Sequence, residues 1–391
     1  AVYPGDKNNL PYDVVVERLH IEEPEPPAPV TEPEKTFEEV LDEHPVSIQV
    51  NGQWQTFPNA KAAEEASYEE YKADLRRNAK NFRITDEHLG EGGPKAKFQA
   101  NVNAIRLLKE LEATGQQASP EQQEVLSRYV GWGGLSDAFD PEKPAWALEY
   151  AQLKELLTPE EYAAARGSTL NAHYTSPTVI RAIYETVGRM GFETGNILEP
   201  SCGVGNFFGM LPEEMRNSRL YGVELDSISG RIAKQLYPKA DITVAGFETT
   251  DRRDFYDLAI GNVPFGQYQV RDKAYDKLNF SIHNYFFAKA LDQVRPGGVV
   301  AFVTSRYTMD AKDSTVRRYL AQRAELLGVI RLPNDAFKKN AGAEVVSDII
   351  FLQKRDRPLD IVPEWTQTGQ TEDGFAINRY FIDHPEMVLG R

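Results

Sequence analysis

The chain has 391 residues, 41% hydrophobic and 26% charged, which is long and apolar enough for two or three units with a buried core. No apolar run approaches the roughly 18 residues of a membrane span, and the opening Ala1-Val-Tyr-Pro-Gly-Asp lacks the basic-then-apolar pattern of a secretory signal. A net charge of −15 excludes a broad basic face for nucleic acid, so any phosphate contact must come from local Lys and Arg clusters.

The acid is concentrated early: eleven acidic residues against two basic ones, Arg18 and Lys35, fall between Asp13 and Glu43. Residues 21–34, IEEPEPPAPVTEPE, are too rich in Pro and Glu to bury a core and read as a linker. Asn51-Gly52 within 46–58 predicts a small hairpin. From 60 to 166 the pattern is helical, with Val102, Ile105, Leu108 and Leu111 at helical spacing. Ser119-Pro-Glu-Gln122 and Thr158-Pro-Glu-Glu161 read as capping boxes with Pro in the first turn. Between them, Val130-Gly-Trp-Gly-Gly-Leu135 either lines a ligand site or simply packs a Trp where glycines let the backbone turn. The latter is the plainer expectation. The missing initiator Met points to a piece of something longer.

Beyond about 170, strand and helix signals alternate. Ser176 caps a helix whose apolar face is Val179, Ile180, Ile183 and Val187. Strands are predicted at 196–199, 220–225, 242–245, 256–261, 298–304 and 326–332, with helices at 227–236 and 284–294. A final strand, 348–352, follows after a short connection. The fold class is therefore α/β, a mostly parallel sheet with an antiparallel addition at one edge, preceded by a helical region. The expected boundaries are 1–59 (acidic linker and hairpin), 60–166 (helical), 167–357 (α/β) and 358–391 (C-terminal extension).

The strongest local signal is Ile197-Leu-Glu-Pro-Ser-Cys-Gly-Val-Gly-Asn-Phe207. A strand ends in Glu199 and enters a loop with Ser201, Gly203, Gly205 and Asn206, at the strand end where open α/β sheets bind ligands. Its Cys202 is the single cysteine, which excludes an internal disulfide or a cysteine-based zinc site and fits a reducing cytoplasm. No metal is expected. The next strand ends in Glu224, 19 residues after Gly205, where a carboxylate can accept both ribose hydroxyls of a nucleoside. A dinucleotide is disfavoured, since the third glycine of G-x-G-x-x-G falls at Phe208.

The fourth strand ends in Asn262-Val263-Pro264-Phe265. This resembles the amino-methyltransferase hallmark [Asn/Asp/Ser]-Pro-Pro-[Tyr/Phe/Trp], with Val263 in place of the first Pro. The resemblance implies a Rossmann-like seven-stranded methyltransferase sheet and S-adenosylmethionine as cofactor. In that chemistry the Asn262 side chain and the residue 263 carbonyl hold the hydrogens of a target amine, Phe265 stacks on a flipped base, and Pro264 stiffens the loop. His173-Tyr174-Thr175 upstream is similar to the family's cofactor-contacting Tyr-Thr-Pro segment. The motif order resembles the gamma group of N6-adenine DNA methyltransferases over roughly 170–356. By that likeness Phe337 faces the target base. Lys338 and Lys339, with Arg271, Lys273 and Lys277, are candidate phosphate contacts. After the third strand the family often carries Asp-Phe around the cofactor adenine. Here Gly246-Phe247-Glu248 keeps the aromatic but loses the acid at 246. Flanking segments, including Tyr129–Asp137, are similar to the methylase part of large helicase–methylase proteins of bacterial mobile elements. The implied partners are DNA and a helicase-like region of a longer polypeptide, in the bacterial cytoplasm with no membrane. Two other readings stay open: an RNA or protein-glutamine amine methyltransferase, and a non-catalytic cofactor- or DNA-binding module.

Overall fold

The computed structural model describes residues 44–169, 175–334, 336 and 346–389. Two units are distinct, one ending at Asn78 and the other spanning Ala79–Arg391. In the first, β1 (Val46–Val50) and β2 (Gln53–Phe57) form the expected antiparallel hairpin, with Asn51 and Gly52 at φ 52° and 73°. Positive φ at both turn positions is what an Asn-Gly pair supplies. Helix α1 (Ala60–Asn78) follows in the same unit.

The second unit opens with helices α2 (Pro94–Thr114), α3 (Pro120–Ser127), α4 (Ala147–Leu156) and α5 (Pro159–Ser168). Both capping boxes form: Ser119 and Thr158 each accept from the third-position amide and are bonded in return. Val102, Ile105, Leu108 and Leu111 are all buried, as the helical period requires. Next comes α6 (Pro177–Arg189), capped by Ser176 and burying Val179, Ile180, Ile183, Tyr184 and Val187.

A seven-stranded sheet forms the centre. Its strands are β3 (Asn196–Glu199), β4 (Arg219–Glu224), β5 (Asp241–Val244), β6 (Tyr256–Asn262), β7 (Val294–Ser305), β8 (Ala324–Arg331) and β9 (Ser347–Lys354), in spatial order β5-β4-β3-β6-β7-β9-β8. The pairs β3–β4, β3–β6, β4–β5 and β6–β7 are parallel, whereas β9 runs antiparallel to both β7 and β8. The antiparallel strand is thus not the outermost one. β9 inserts between β7 and β8. Helices α7 (Asn206–Gly209), α8 (Ser227–Leu236) and α9 (Ile282–Gln293) follow β3, β4 and the long segment after β6. This is the Rossmann-like seven-stranded sheet that the resemblance implies. The order reverses at β3, so the crevice beyond the ends of β3, β4 and β6 is where such a sheet binds ligands.

After β7 come α10 (Tyr307–Asp310) and α11 (Thr315–Arg323). The chain after β9 adds a small hairpin, β10 (Thr368–Gln370) with β11 (Ala376–Asn378), and helix α12 (Arg379–Asp383). None of the described helices is long and apolar enough to cross a membrane.

Candidate cofactor and amine site

At the end of β3 the chain turns through Gly203 (φ 55°) and Gly205 (φ 85°). Gly203 lines a cleft of about 280 Å³, and a Cβ on it would meet nothing within 4 Å. Gly205 is different. A Cβ there would lie 2.5 Å from Tyr237 Cε2 and 2.8 Å from Cδ2, facing protein. Gly205 therefore serves the turn and the packing against Tyr237, and it is Gly203 that leaves the cradle open. Ser201 and Asn206 also line the cleft.

Glu224 projects from the end of β4. Its Oε2 accepts from Gly203 N and its Oε1 from Asp226 N, both at 2.7 Å. Each oxygen retains a lone pair for a second donor. Burial pushes the Glu224 pKa up to about 7, against opposing main-chain hydrogen bonds from Asp226, Gly203 and Leu225. Glu199 is buried, its pKa raised well above the carboxylate range by burial and then by the Glu224 charge. Glu199 Oε2 has no hydrogen-bond partner among the described residues. Glu199, Glu224 and Asp226 all line the cleft, and among the described residues no Lys or Arg does. Such a lining repels phosphate and favours a cationic nucleoside, and S-adenosylmethionine carries a sulfonium and an ammonium. The open cradle at Gly203, the orphan Glu199 oxygen and the acidic lining fit that molecule.

Asn262 ends β6 beside this loop. Its main-chain oxygen accepts from Ser201 Oγ at 3.0 Å, and its Nδ2 donates to Thr175 Oγ1 at 3.0 Å. Three segments, the residues before α6, the glycine loop and the β6 end, thus meet at one residue. Gly261, at φ 150°, lets this strand end lie against Glu199: a Cβ would be 3.1 Å from Glu199 Cγ. Val263 stands where the hallmark has Pro. It is buried, and its N–H donates to Val303 O at 3.1 Å, continuing the β6–β7 ladder by one bond. The stiffness that a proline ring would give is supplied here by that hydrogen bond. Val263 and Pro264 line the cleft. Phe265 is half-buried against the apolar cluster that includes Val303 and Ile349, and is not part of the cleft wall.

Phe247 does not reach the cleft either. The short turn after β5 sends it toward α9, where it is buried with its ring centroid 4.9 Å from Phe286 and 5.3 Å from Lys289 Nζ. Its ring makes a core contact here. The exposed Glu248 folds its carboxylate back over Gly246, into the space a side chain at 246 would take. Tyr174, Phe337, Lys338 and Lys339 lie outside the described residues. Arg271, Lys273 and Lys277 are exposed. Asp272 among them is tied to α9 by Lys289 Nζ and Tyr285 OH, both at 2.8 Å.

Several cleft residues carry no motif of the kind sought in the sequence. Tyr129, Val130 and Gly131 come from the helical region, Ser168 from α5, and Ser229 from α8. The glycine-rich turn around Trp132 is the one signal that pointed to them. Both readings of it hold in part: Trp132 itself is packed, while its preceding neighbours line the cleft.

Residues 155–362 match the family model for N-6 DNA Methylase. The chain belongs to that family. The cofactor of N-6 DNA methylases is S-adenosylmethionine. A 272-residue stretch, 68% of the chain, is 27% identical to the Defense against restriction protein B of Escherichia phage P1 but covers only 10% of that protein. A 92-residue stretch is 38% identical to the Type II methyltransferase M.CvrRI of Paramecium bursaria Chlorella virus XZ-6E, covering 24% of each chain. The chain thus spans a tenth to a quarter of the length of these curated relatives. Among solved structures, a protein from Listeria monocytogenes described as a class I S-adenosylmethionine-dependent methyltransferase is similar at 18% identity with a TM-score of 0.42, over 69% of this N-6 DNA methylase and 90% of that chain.

Proposed function

We propose that the chain transfers the methyl group of S-adenosylmethionine to the N6 amine of adenine in DNA, acting on a base turned out of its stack. The observation that carries this reading is the placement of Asn262, tied to Ser201 and Thr175, in the same cleft as Gly203 and Glu224. An aromatic amine is a poor nucleophile because its lone pair is delocalised. Acceptors that hold its two hydrogens localise the lone pair on nitrogen and stabilise the positive charge that develops there.

Asn262 Oδ1 and the Val263 carbonyl are those acceptors. The Asn262 side chain is held by Thr175, and the main chain at 262–263 by the Ser201 and Val303 hydrogen bonds, so both acceptors are in place before the amine arrives. The cofactor supplies an electrophilic methyl group on sulfur. Glu224 takes the ribose hydroxyls, Glu199 and the Gly203 cradle face the rest of the cofactor, and Thr175 orients Asn262. Phe265 offers its ring to the base on the motif's precedent, with Phe337, Lys338 and Lys339 as further base and phosphate contacts. The phage relative is far longer than this chain, which supports a place within a longer polypeptide; a helicase-like part in it remains the reading drawn from the motif likeness alone.

Radiolabelled-methyl transfer to DNA, RNA and protein, followed by nucleoside mass spectrometry, tests the assignment. The expected product is N6-methyladenine from DNA. Asn262→Ala should lose about 10²–10³-fold in rate, the usual consequence of removing one positioned polar partner, while cofactor affinity is kept. Label found only in RNA or protein would reject DNA adenine as the target.

A further inference from the structure

Tyr129-Val130-Gly131 precedes the family match, which begins at residue 155, yet all three residues line the cleft with Gly203, Glu224 and Asn262. The loop is held from behind. Asn101 is fully buried on α2, and both arms of its amide grip this one stretch: Oδ1 accepts from Val130 N at 2.9 Å and Nδ2 donates to Gly131 O at 2.6 Å. Trp132, the next residue, is locked edge-on among Phe98, Tyr129 and Phe139 at ring-centroid distances of 6.1, 6.3 and 5.3 Å. Gly131 sits at φ 72°, where the chain turns with no side chain projecting. A fully satisfied buried amide fixes main chain firmly. Here the main chain it fixes is the face of a ligand cleft.

Next to this loop stands the start of α8, whose Ser229 also lines the cleft. Asp226 caps that helix by accepting from Ser229 N at 2.8 Å and Ser229 Oγ at 2.6 Å. The Tyr129 hydroxyl faces Ser229 and the carboxylates of Asp226 and Glu224. The Tyr129 side chain therefore lies on the Glu224 side of the cleft, not beside Asn262.

We infer that Tyr129–Gly131 is the outer wall of the cofactor subsite, covering the nucleoside half of S-adenosylmethionine beside Glu224, with Asn101 as its positioning residue. The inference rests on the cofactor reading of the cleft. It makes the helical region a component of the cofactor site, not a separable DNA-recognition module.

The test uses the full 391-residue chain with S-adenosylhomocysteine as ligand, read by calorimetry and by hydrogen–deuterium exchange. Val130→Trp fills the cleft from the wall and should weaken binding by at least about tenfold. Ligand should slow exchange in peptides covering 126–134 of the parent. Asn101→Ala should speed exchange there without ligand and weaken binding. If that variant does not fold, Val130→Trp and the exchange of the parent still decide. A folded Val130→Trp chain that binds like the parent, with no ligand protection at 126–134, overturns the wall and leaves the cofactor reading intact. A parent chain that binds no ligand overturns both.

Discussion

At Glu224 two properties pull in opposite directions with pH. Its carboxyl has a pKa of about 7 in the fold against an ordinary 4.5. Between those values the folded chain keeps a proton that the unfolded chain has lost. Stability therefore falls as pH rises from about 4.5 to about 7 and levels off above. Glu199 shifts in the same direction and adds to the slope. Cofactor affinity should rise over the same window, because an ionised carboxylate is the stronger acceptor for ribose hydroxyls. Thermal unfolding from pH 5 to 8 should show the parent losing stability with a smaller slope in Glu224→Gln, and equal slopes would reject the assignment. The two glycines next to it separate by the same kind of argument. Both have positive φ, so any side chain costs about 1–2 kcal/mol. Only Gly205 adds a collision with the Tyr237 ring. Gly205→Ala should lower the unfolding temperature more than Gly203→Ala, while Gly203→Val should cost more cofactor affinity than Gly205→Ala. Calorimetry and thermal melts on the three variants check the ranking, and a reversed order would return Gly205 to the cleft face.

Among the elements, the C-terminal hairpin and α12 pack on the sheet through Phe381 and its apolar neighbours, and two buried polar side chains fix them in place. Asn378 is fully buried and makes four bonds: its N–H donates to Asp310 Oδ1, its Nδ2 to Met309 O and Trp365 O, and its Oδ1 accepts from Tyr380 N, all between 2.8 and 3.0 Å. Arg317, also buried, adds Nε to Thr366 O at 2.8 Å. Replacing Asn378 with Ala strands two buried carbonyls, at about 1–3 kcal/mol each. The damage should stay local, since neither residue lines the cleft. Limited proteolysis should cut 358–389 faster in Asn378→Ala while S-adenosylhomocysteine affinity stays at the parent value. Loss of cofactor binding together with the extension would show that these elements are coupled. The Lys289–Asp272–Tyr285 cluster plays a similar part at the other side of β6. It joins the segment after Phe265 to α9, and Lys289 also donates to Glu248 O at 3.1 Å.

For the whole molecule, charge and substrate geometry set the expectation. A chain of net charge −15 has little general attraction for DNA, so binding must rest on a few local cations and fall steeply with salt. Unpairing and unstacking a target base costs a few kcal/mol, least when the base is single-stranded or mismatched. The helical region lends its loop to the cleft, which leaves less of the chain to grip a specific duplex. The isolated chain should therefore methylate adenine in single-stranded or mismatched DNA at least as fast as in perfect duplex. Nucleoside mass spectrometry on matched single- and double-stranded substrates, at two salt concentrations, measures this. Product formed only in one duplex sequence would mean that a recognition surface lies within these residues.

Sequence alone determines the features whose causes are local. Strand ends at Glu199, Glu224 and Asn262 follow from apolar runs broken by turn residues. The two capping boxes and the apolar face of α6 follow from spacing within a single turn or two. Positive φ at Asn51-Gly52 follows from those residue types. What only the tertiary structure decides is where a side chain points once neighbours distant in sequence pack around it. Phe247 turns to α9 because Phe286 and Lys289 wait there, and Gly205 faces Tyr237 from the end of α8. β9 enters between β7 and β8 because hydrogen-bonding partners on both flanks satisfy more of its main chain than an outer edge would. Tyr129 meets Ser229 across nearly a hundred residues of intervening chain, a closeness no spacing rule encodes. Periodicity and capping act over a few residues, whereas a cleft is made by surfaces that long-range packing brings together.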